Sequence, residues 1–286
     1  MRSKYVVAGT DGSEESLRAV EWGAREAMLR GVQLRIVSAP QLLLGMVVEG
    51  DILCVSRDDA LARAAQRAAI AAPGLVIDTG KLSGSIATAL TGSGAGAVML
   101  VVGTRGFGAF RAMIHPSVSR YAATHASCPV VVVRDQPATA RRQLGVGIGD
   151  ADSCADALAF AFEEGAVREA GVTVVYSQHA RHVTVNRGGG TRFETDSAAS
   201  TRLAAILADL RDKYPGVQVT QKVVHGHPGH ALANLSAHAD LVIIGGRPPH
   251  ETDIYGPGAV TQALFNHAHG PIVTVPSSLR TPRTEP

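Results

Sequence analysis

The chain has 286 residues and a mass of 29.7 kDa, a length that suits two domains of ordinary size. With 45% apolar, 18% charged and 4% aromatic residues, its composition is that of a globular protein with cores of Ala, Val, Leu and Ile, and disorder over most of the length is excluded. A net charge of +2 gives no field that points to a nucleic acid or an anionic membrane surface, so the expected ligand is a small molecule.

The opening residues MRSKYVVAGTDGS place six residues between Lys4 and Asp11, too few for the apolar core of a signal peptide, and they read at once as a strand. Continuous Val, Ile and Leu runs then alternate with stretches rich in Ala, Leu, Arg and Glu, the pattern of βαβ units around a parallel sheet. In the first half, strands are expected at about 4–9, 33–38, 75–79, 97–102 and 129–134, with helices at about 13–30, 58–72, 84–92 and 117–126. The polar, Pro-containing stretch 136–142 reads as a linker. Beyond it the order repeats, with strands at about 143–148, 172–177, 217–223, 240–244 and 271–275 and helices near 153–169, 195–213, 229–237 and 258–267. Long connections at about 39–57 and 178–194 follow the second strand of each half, where a loop would rim a cleft. No apolar run approaches the roughly 20 residues needed to span a bilayer.

The two halves echo each other. Tyr5 to Asp11 has its counterpart in Leu144 to Asp150, each an apolar, glycine-containing run ending in Asp. Leu100-Val-Val-Gly103 matches Val242-Ile-Ile-Gly245, and Cys128-Pro-Val-Val-Val-Val133 matches Gly270-Pro-Ile-Val-Thr-Val275, both at an offset of 142. The chain therefore reads as a tandem duplication, with domains at 1–136 and 142–279 and a flexible tail at 280–286. Its fold class is α/β: two Rossmann-like domains, each a five-stranded parallel sheet with helices on both faces. The final strands, Val130 to Val133 and Ile272 to Val275, are apolar on both faces and are expected to pair antiparallel with each other, making the chain an intrachain pseudo-dimer. Association of two chains into a homodimer is left open.

Three cysteines, Cys54, Cys128 and Cys154, match neither a disulfide framework nor a metal knuckle, which suits a reducing, cytoplasmic setting. The histidines of His225-Gly-His227-Pro-Gly-His230 lack a Cys or carboxylate at ligand spacing and read as surface residues, so no metal site is assigned to them. His267 and His269, near a helix end, complement its dipole.

The strongest local feature is Val102-Gly-Thr-Arg-Gly106, which leaves an apolar strand and is followed, after nine residues, by Pro116-Ser-Val-Ser119 at a helix start. Glycines 103 and 106 would let the backbone approach an anion, the helix start offers N–H groups, Ser117 and Ser119 offer hydroxyls, and Arg105 a charge-assisted contact. The same residues also fit a plain βα turn followed by a Ser-capped helix. Asp11, at the end of the first strand, would lie at the crevice of an open parallel sheet, where it could accept ribose hydroxyls or hold Mg²⁺. Capping of the following helix by Asp11 or Ser13 is compatible with either role.

The order VxGxDGS, then VVGTRGFGAFRAMIHPSVS, then HASCPVVVVR resembles the universal stress proteins, over nearly the whole chain and in two copies. That resemblance implies ATP binding through G-x2-G-x9-G-[S/T] and an early strand-end Asp. By position, Gly9, Thr10 and Asp11 match the first element and Ala39 the residue that meets adenine and ribose. Val102, Gly103, Arg105, Gly106, Ser117, Val118 and Ser119 match the phosphate loop. Two departures stand out. The third motif glycine is Pro116, which lacks an N–H and fixes φ near about −65°, though proline is well tolerated at a first helical position. In the second half the register reads Gly245, Pro248, Gly258 and Ala259, so that copy keeps Asp150 but has lost a glycine and the hydroxyl.

These readings give an ATP-binding regulator or sensor of the stress response, with nucleotide in the first domain, no catalytic residues and a protein partner of unknown identity. No Walker lysine follows a glycine loop, no G-x-S-x-G is present, and Ala8-Gly-Thr-Asp-Gly-Ser13 is not the S-G-G-x-D-S loop of an adenylating enzyme. The alternatives are a degenerate member that binds no nucleotide and works through protein contacts, and a slow ATP-hydrolysing enzyme.

Overall fold

The structure is a computed structural model that describes residues 4–38, 56–104, 118–134, 140–148, 151–178, 184–185, 191–192, 197–225, 227–246 and 258–277. The chain divides into two compact units, the first built on Met1–Gln136 together with Pro271–Pro276, the second on Pro137–Arg247 and Gly258–Gly270.

In the first unit the elements run β1 (Tyr5–Gly9), α1 (Glu14–Leu29), β2 (Gln33–Ser38), α2 (Arg57–Ala71), β3 (Ile77–Lys81), α3 (Ile86–Ser93), β4 (Met99–Gly103), α4 (Val118–His125) and β5 (Val130–Val133). The strands pair in parallel in the order β3-β2-β1-β4-β5, a doubly wound sheet whose order reverses between β1 and β4. Consecutive residues of β1, β4 and β5 are buried, including Val6, Val7, Ala8, Leu100, Val101, Val131 and Val132. Burial of successive residues means burial of both faces, which is why these strands read as unbroken apolar runs. The covering layers follow from two glycine contacts. Gly23 of α1 packs on Ala8, whereas a Cβ on Gly9 would meet Leu90 of α3 at 2.9 Å, so α1 and α3 lie on opposite faces of the sheet.

Local signals set the helix ends. Ser13 caps α1 by accepting from the Ser16 N–H, Glu14 and Glu15 occupy its first turn, and it closes at Gly31, whose φ of +62° favours glycine. Ser56 caps α2 by accepting from Asp59 N–H, and Ala60, Leu61, Ala64 and Ala68 form its buried stripe. The opposite face of α2 is exposed at Arg63, Gln66 and Ile70, so the helix is amphipathic.

The second unit repeats the plan with β6 (Gln143–Ile148), α5 (Ala151–Arg168), β7 (Gly171–Gln178), α6 (Ser197–Lys213), β10 (Val219–His225), α7 (Pro228–Ser236), β11 (Leu241–Gly246) and α8 (Ala259–His267). Its strands pair in parallel as β10-β7-β6-β11. A short antiparallel hairpin, β8 (Thr184–Val185) with β9 (Thr191–Arg192), lies in the stretch read as a plain connection. The last strand, β12 (Ile272–Pro276), pairs antiparallel with β5, Ile272 opposite Val132 and Thr274 opposite Val130, and so completes the first unit's sheet. The expected pairing of the two apolar runs is therefore present.

The repeat is mirrored in packing. Leu90 lies over Gly9 in the first copy and Leu232 over Gly147 in the second. Where the first copy sets Cys128 against Gly94, the second sets Gly270 against the backbone of Ser236, so the small residue has changed sides while the pair still fits. Burial holds the Cys128 thiol up at about 11, so at neutral pH it is a buried, protonated hydrophobe with almost no reactive thiolate. Native protein treated with a thiol reagent at pH 7.5 is expected to leave Cys128 unlabelled for as long as the first unit stays folded, and denaturant should release it. Prompt labelling of Cys128 in native protein, read by peptide mass spectrometry, would contradict this.

Candidate functional site

The site begins where β1 ends. Thr10 continues past the strand with its N–H donated to the Val37 carbonyl at 2.9 Å, which fixes the backbone at the carboxyl edge of the sheet. Gly12 follows with φ +85°, a left-handed turn that a side chain would strain, and its N–H donates to Thr10 Oγ1 at 3.1 Å. Four polar side chains close around this turn. Asp11 Oδ1 accepts from the Ser13 N–H at 2.9 Å and the Ser13 hydroxyl at 2.5 Å. Ser13 Oγ in turn accepts from the Ser16 N–H at 3.3 Å. The Ser16 hydroxyl donates to the Ser13 carbonyl at 2.9 Å, so its oxygen must accept from Thr10 Oγ1 at 3.0 Å, and it also accepts from the Asp11 N–H at 3.3 Å.

The result is a pre-ordered loop. Thr10, Ser13 and Ser16 are buried, while Asp11 stays half-exposed. The sequence placed Asp11 and Thr10 here, and Ser13 as a cap; it missed Ser16, which joins the strand end to the helix. The available signal was a second hydroxyl three residues beyond the capping Ser13, at a helix position where Ser is otherwise unremarkable.

Gly103 brings the second element to this loop. It ends β4 beside β1, and a Cβ there would meet the Glu15 carbonyl oxygen at 2.8 Å and Ser16 N at 3.2 Å. Both are backbone atoms of the first turn of α1 and cannot swing aside, so glycine is required for the helix start to lie against the end of β4. Gly103→Ala is expected to push α1 off the strand end, costing about 1 to 3 kcal/mol of stability as overpacking does, and to disrupt the Thr10–Ser16 network. A variant as stable as the parent, by chemical denaturation of the full chain, would show that the close approach is not needed.

The structure therefore gathers Gly9, Thr10, Asp11, Val102 and Gly103 at the switch point of the first sheet, together with Ser13 and Ser16. Val118, half-exposed, and Ser119, buried, open α4. Ala39, Arg105, Gly106 and Ser117, like Pro116, lie outside the described residues. In the second unit, Gly245 and Gly246 end β11 half-exposed, and Gly258 caps α8 with no side-chain bond. Asp150 and Pro248 are outside the described residues. Among the described residues no three His, Cys, Asp or Glu side chains form a set that could hold a metal ion, and no helix is long and apolar enough to cross a membrane.

The family model described as Universal stress protein family matches twice, at residues 3–134 and 140–276. A universal stress protein of Mycobacterium tuberculosis is 28% identical over 293 residues, spanning 96% of this chain and 97% of the relative. One from Mycolicibacterium smegmatis is 31% identical over 258 residues, spanning 84% and 86%. Among solved structures, a universal stress protein of Archaeoglobus fulgidus superposes with a TM-score of 0.68 at 15% identity, covering 96% of each chain, a likeness of fold.

Proposed function

The chain belongs to the universal stress protein family, as two tandem family domains, and from that premise we propose that it binds ATP in its first domain and acts as a stress-response regulator or sensor rather than a turnover enzyme. One observation carries the proposal. A hydroxyl and carboxylate network from Thr10 to Ser16 sits at the sheet's switch point, against the Gly103 that begins the glycine loop.

In this reading the half-exposed Asp11 accepts the ribose hydroxyls, and Ala39 meets the adenine and ribose. Arg105, Gly106, Ser117, Val118 and Ser119 take the phosphates together with the backbone at Gly103. Hydrogen bonds already made by Thr10, Ser13 and Ser16 hold the loop before the ligand arrives, which lowers the ordering cost of binding. Mg²⁺, where it accompanies the nucleotide, would find an oxygen ligand in Asp11.

The test is calorimetric and kinetic on the same sample. ATP at 100 times its dissociation constant is expected to stabilise the first unit by about 2.7 kcal/mol, visible as a rise in melting temperature. Turnover is expected below about 1 s⁻¹, beneath the usual enzyme range. Faster steady-state hydrolysis would make the protein an enzyme; absence of both nucleotide binding and copurifying nucleotide would favour the partner-docking reading that Pro116 raises.

A further inference from the structure

The second unit carries a feature that the nucleotide reading does not use. His227, which caps α7, His230 on α7 and His267 on α8 are all exposed, and their rings gather at one place. His230 lies 6.0 Å from His267, centroid to centroid, with the ring planes 29° apart, and 5.5 Å from His227. The packing of α7 on α8 enforces this proximity, because Gly229 lies directly on Ala263, so close that a Cβ on Gly229 would stand 2.5 Å from the Ala263 methyl. Residues 230 and 267, one position beyond Gly229 and one turn beyond Ala263, are thus held side by side by backbone contact. At the offset of 142, the first copy has Ser85 and Thr88 where the second has His227 and His230, and its His125 stacks instead on Tyr121 at 4.0 Å. The paired imidazoles belong to the second copy alone.

We propose that His230 and His267 form a surface site for a late first-row divalent metal ion, of the class of Zn²⁺, Ni²⁺ or Cu²⁺. Neutral imidazole suits these ions, whereas Mg²⁺ and Ca²⁺ prefer oxygen. With metal–nitrogen bonds of roughly 2 Å, two imidazoles sharing one ion at a tetrahedral angle have centroids roughly 5 Å apart, so closure from 6.0 Å needs only side-chain rotation. His227 is not a ligand in this site. Its Nδ1 accepts the Gly229 N–H at 3.2 Å as the cap of α7, which places the proton of the neutral ring on Nε2 and leaves no lone pair there for a metal. The protein supplies two ligands and water completes the shell.

The experiment titrates the full chain, free of any affinity tag, with NiCl₂ and CuCl₂ at pH 7.5, with MgCl₂ as control. One Ni²⁺ or Cu²⁺ per chain is expected, Mg²⁺ should not compete, and acidification that protonates the imidazoles should release the metal. His230→Gln and His267→Gln should each weaken binding by about tenfold or more. His227→Ser, which keeps a capping oxygen, should leave binding intact. Electron paramagnetic resonance of the Cu²⁺ form of the unmodified chain should show two nitrogen ligands, a readout independent of any variant's folding. No binding, binding that survives His230→Gln with His267→Gln, or loss of binding in His227→Ser would each overturn the proposal.

Discussion

Asp11→Ala is expected to abolish ATP binding by the full chain, while Asp150→Ala leaves about one nucleotide bound per chain. The asymmetry follows from what each copy offers. The first keeps Asp11, Gly103, Gly106 and Ser117; the second has Pro248 in place of a loop glycine and Ala259 in place of the hydroxyl. Each lost hydrogen bond to a charged group is worth about 1.5 to 3 kcal/mol, so two losses lower affinity by about a hundredfold or more, enough to erase a micromolar site. Loss of the Asp11 carboxylate removes the acceptor for the Ser13 N–H and hydroxyl but leaves Ser13 able to cap α1 through Ser16, so the variant is expected to fold. Asp11→Asn, which keeps an acceptor but not the charge, should fall between the two. Titration calorimetry decides the matter. Two sites per chain, or binding that survives Asp11→Ala and fails in Asp150→Ala, would assign the site to the wrong domain; binding in neither the parent nor any variant would make Pro116 decisive.

Much of this framework was legible in the residues because buried parallel strands have a loud signature. Apolar runs such as Val130 to Val133 must be unbroken when both faces are covered, and the antiparallel partner of that run followed from its apolar edge chemistry together with the family resemblance. Quieter strands were misplaced. An apolar lead-in, Leu75 to Ile77, drew the expected third strand to about 75–79, whereas the ladder runs Ile77–Lys81. An edge strand with exposed Asp78, Thr79 and Lys81 has little need of apolar residues, so composition carries no marker for its end. The two-residue strands of the β8–β9 hairpin are too short for any period to show. At the site, Asp11 and Gly103 announced themselves through motif spacing, but Ser16 did not. Its bond to Thr10 spans a strand, a turn and a helix start, and only the folded backbone closes that distance.

Arg30→Met is expected to destabilise the first unit by about 3 to 5 kcal/mol, the cost typical of removing one partner of a buried ion pair, and to lower its melting transition by roughly 10 to 20 °C. At the end of α1, Arg30 Nε donates to Glu26 Oε1 at 2.6 Å, with side-chain exposures of only 9% and 2%. At the matching end of α5, Arg168 Nε donates to Glu164 Oε2 at 2.9 Å, and Glu164 is fully buried. Both pairs are Glu to Arg at i, i+4, the favourable order on a helix, and Arg30 adds its charge at the negative end of the dipole. Removing the guanidinium therefore withdraws an opposite charge from a desolvated carboxylate in the last turn of its own helix. The pair itself need not be strongly stabilising, because withdrawing two charges from water offsets most of their attraction. The companion variant separates these terms: Glu26→Met with Arg30→Met should recover most of the loss, since both buried charges are then removed together. Urea denaturation followed separately for each unit should show the effect of Arg30→Met in the first transition, and that of Arg168→Met in the second. A double variant no more stable than Arg30→Met alone would mean that packing of the arginine stem, and not the buried charge, sets the cost.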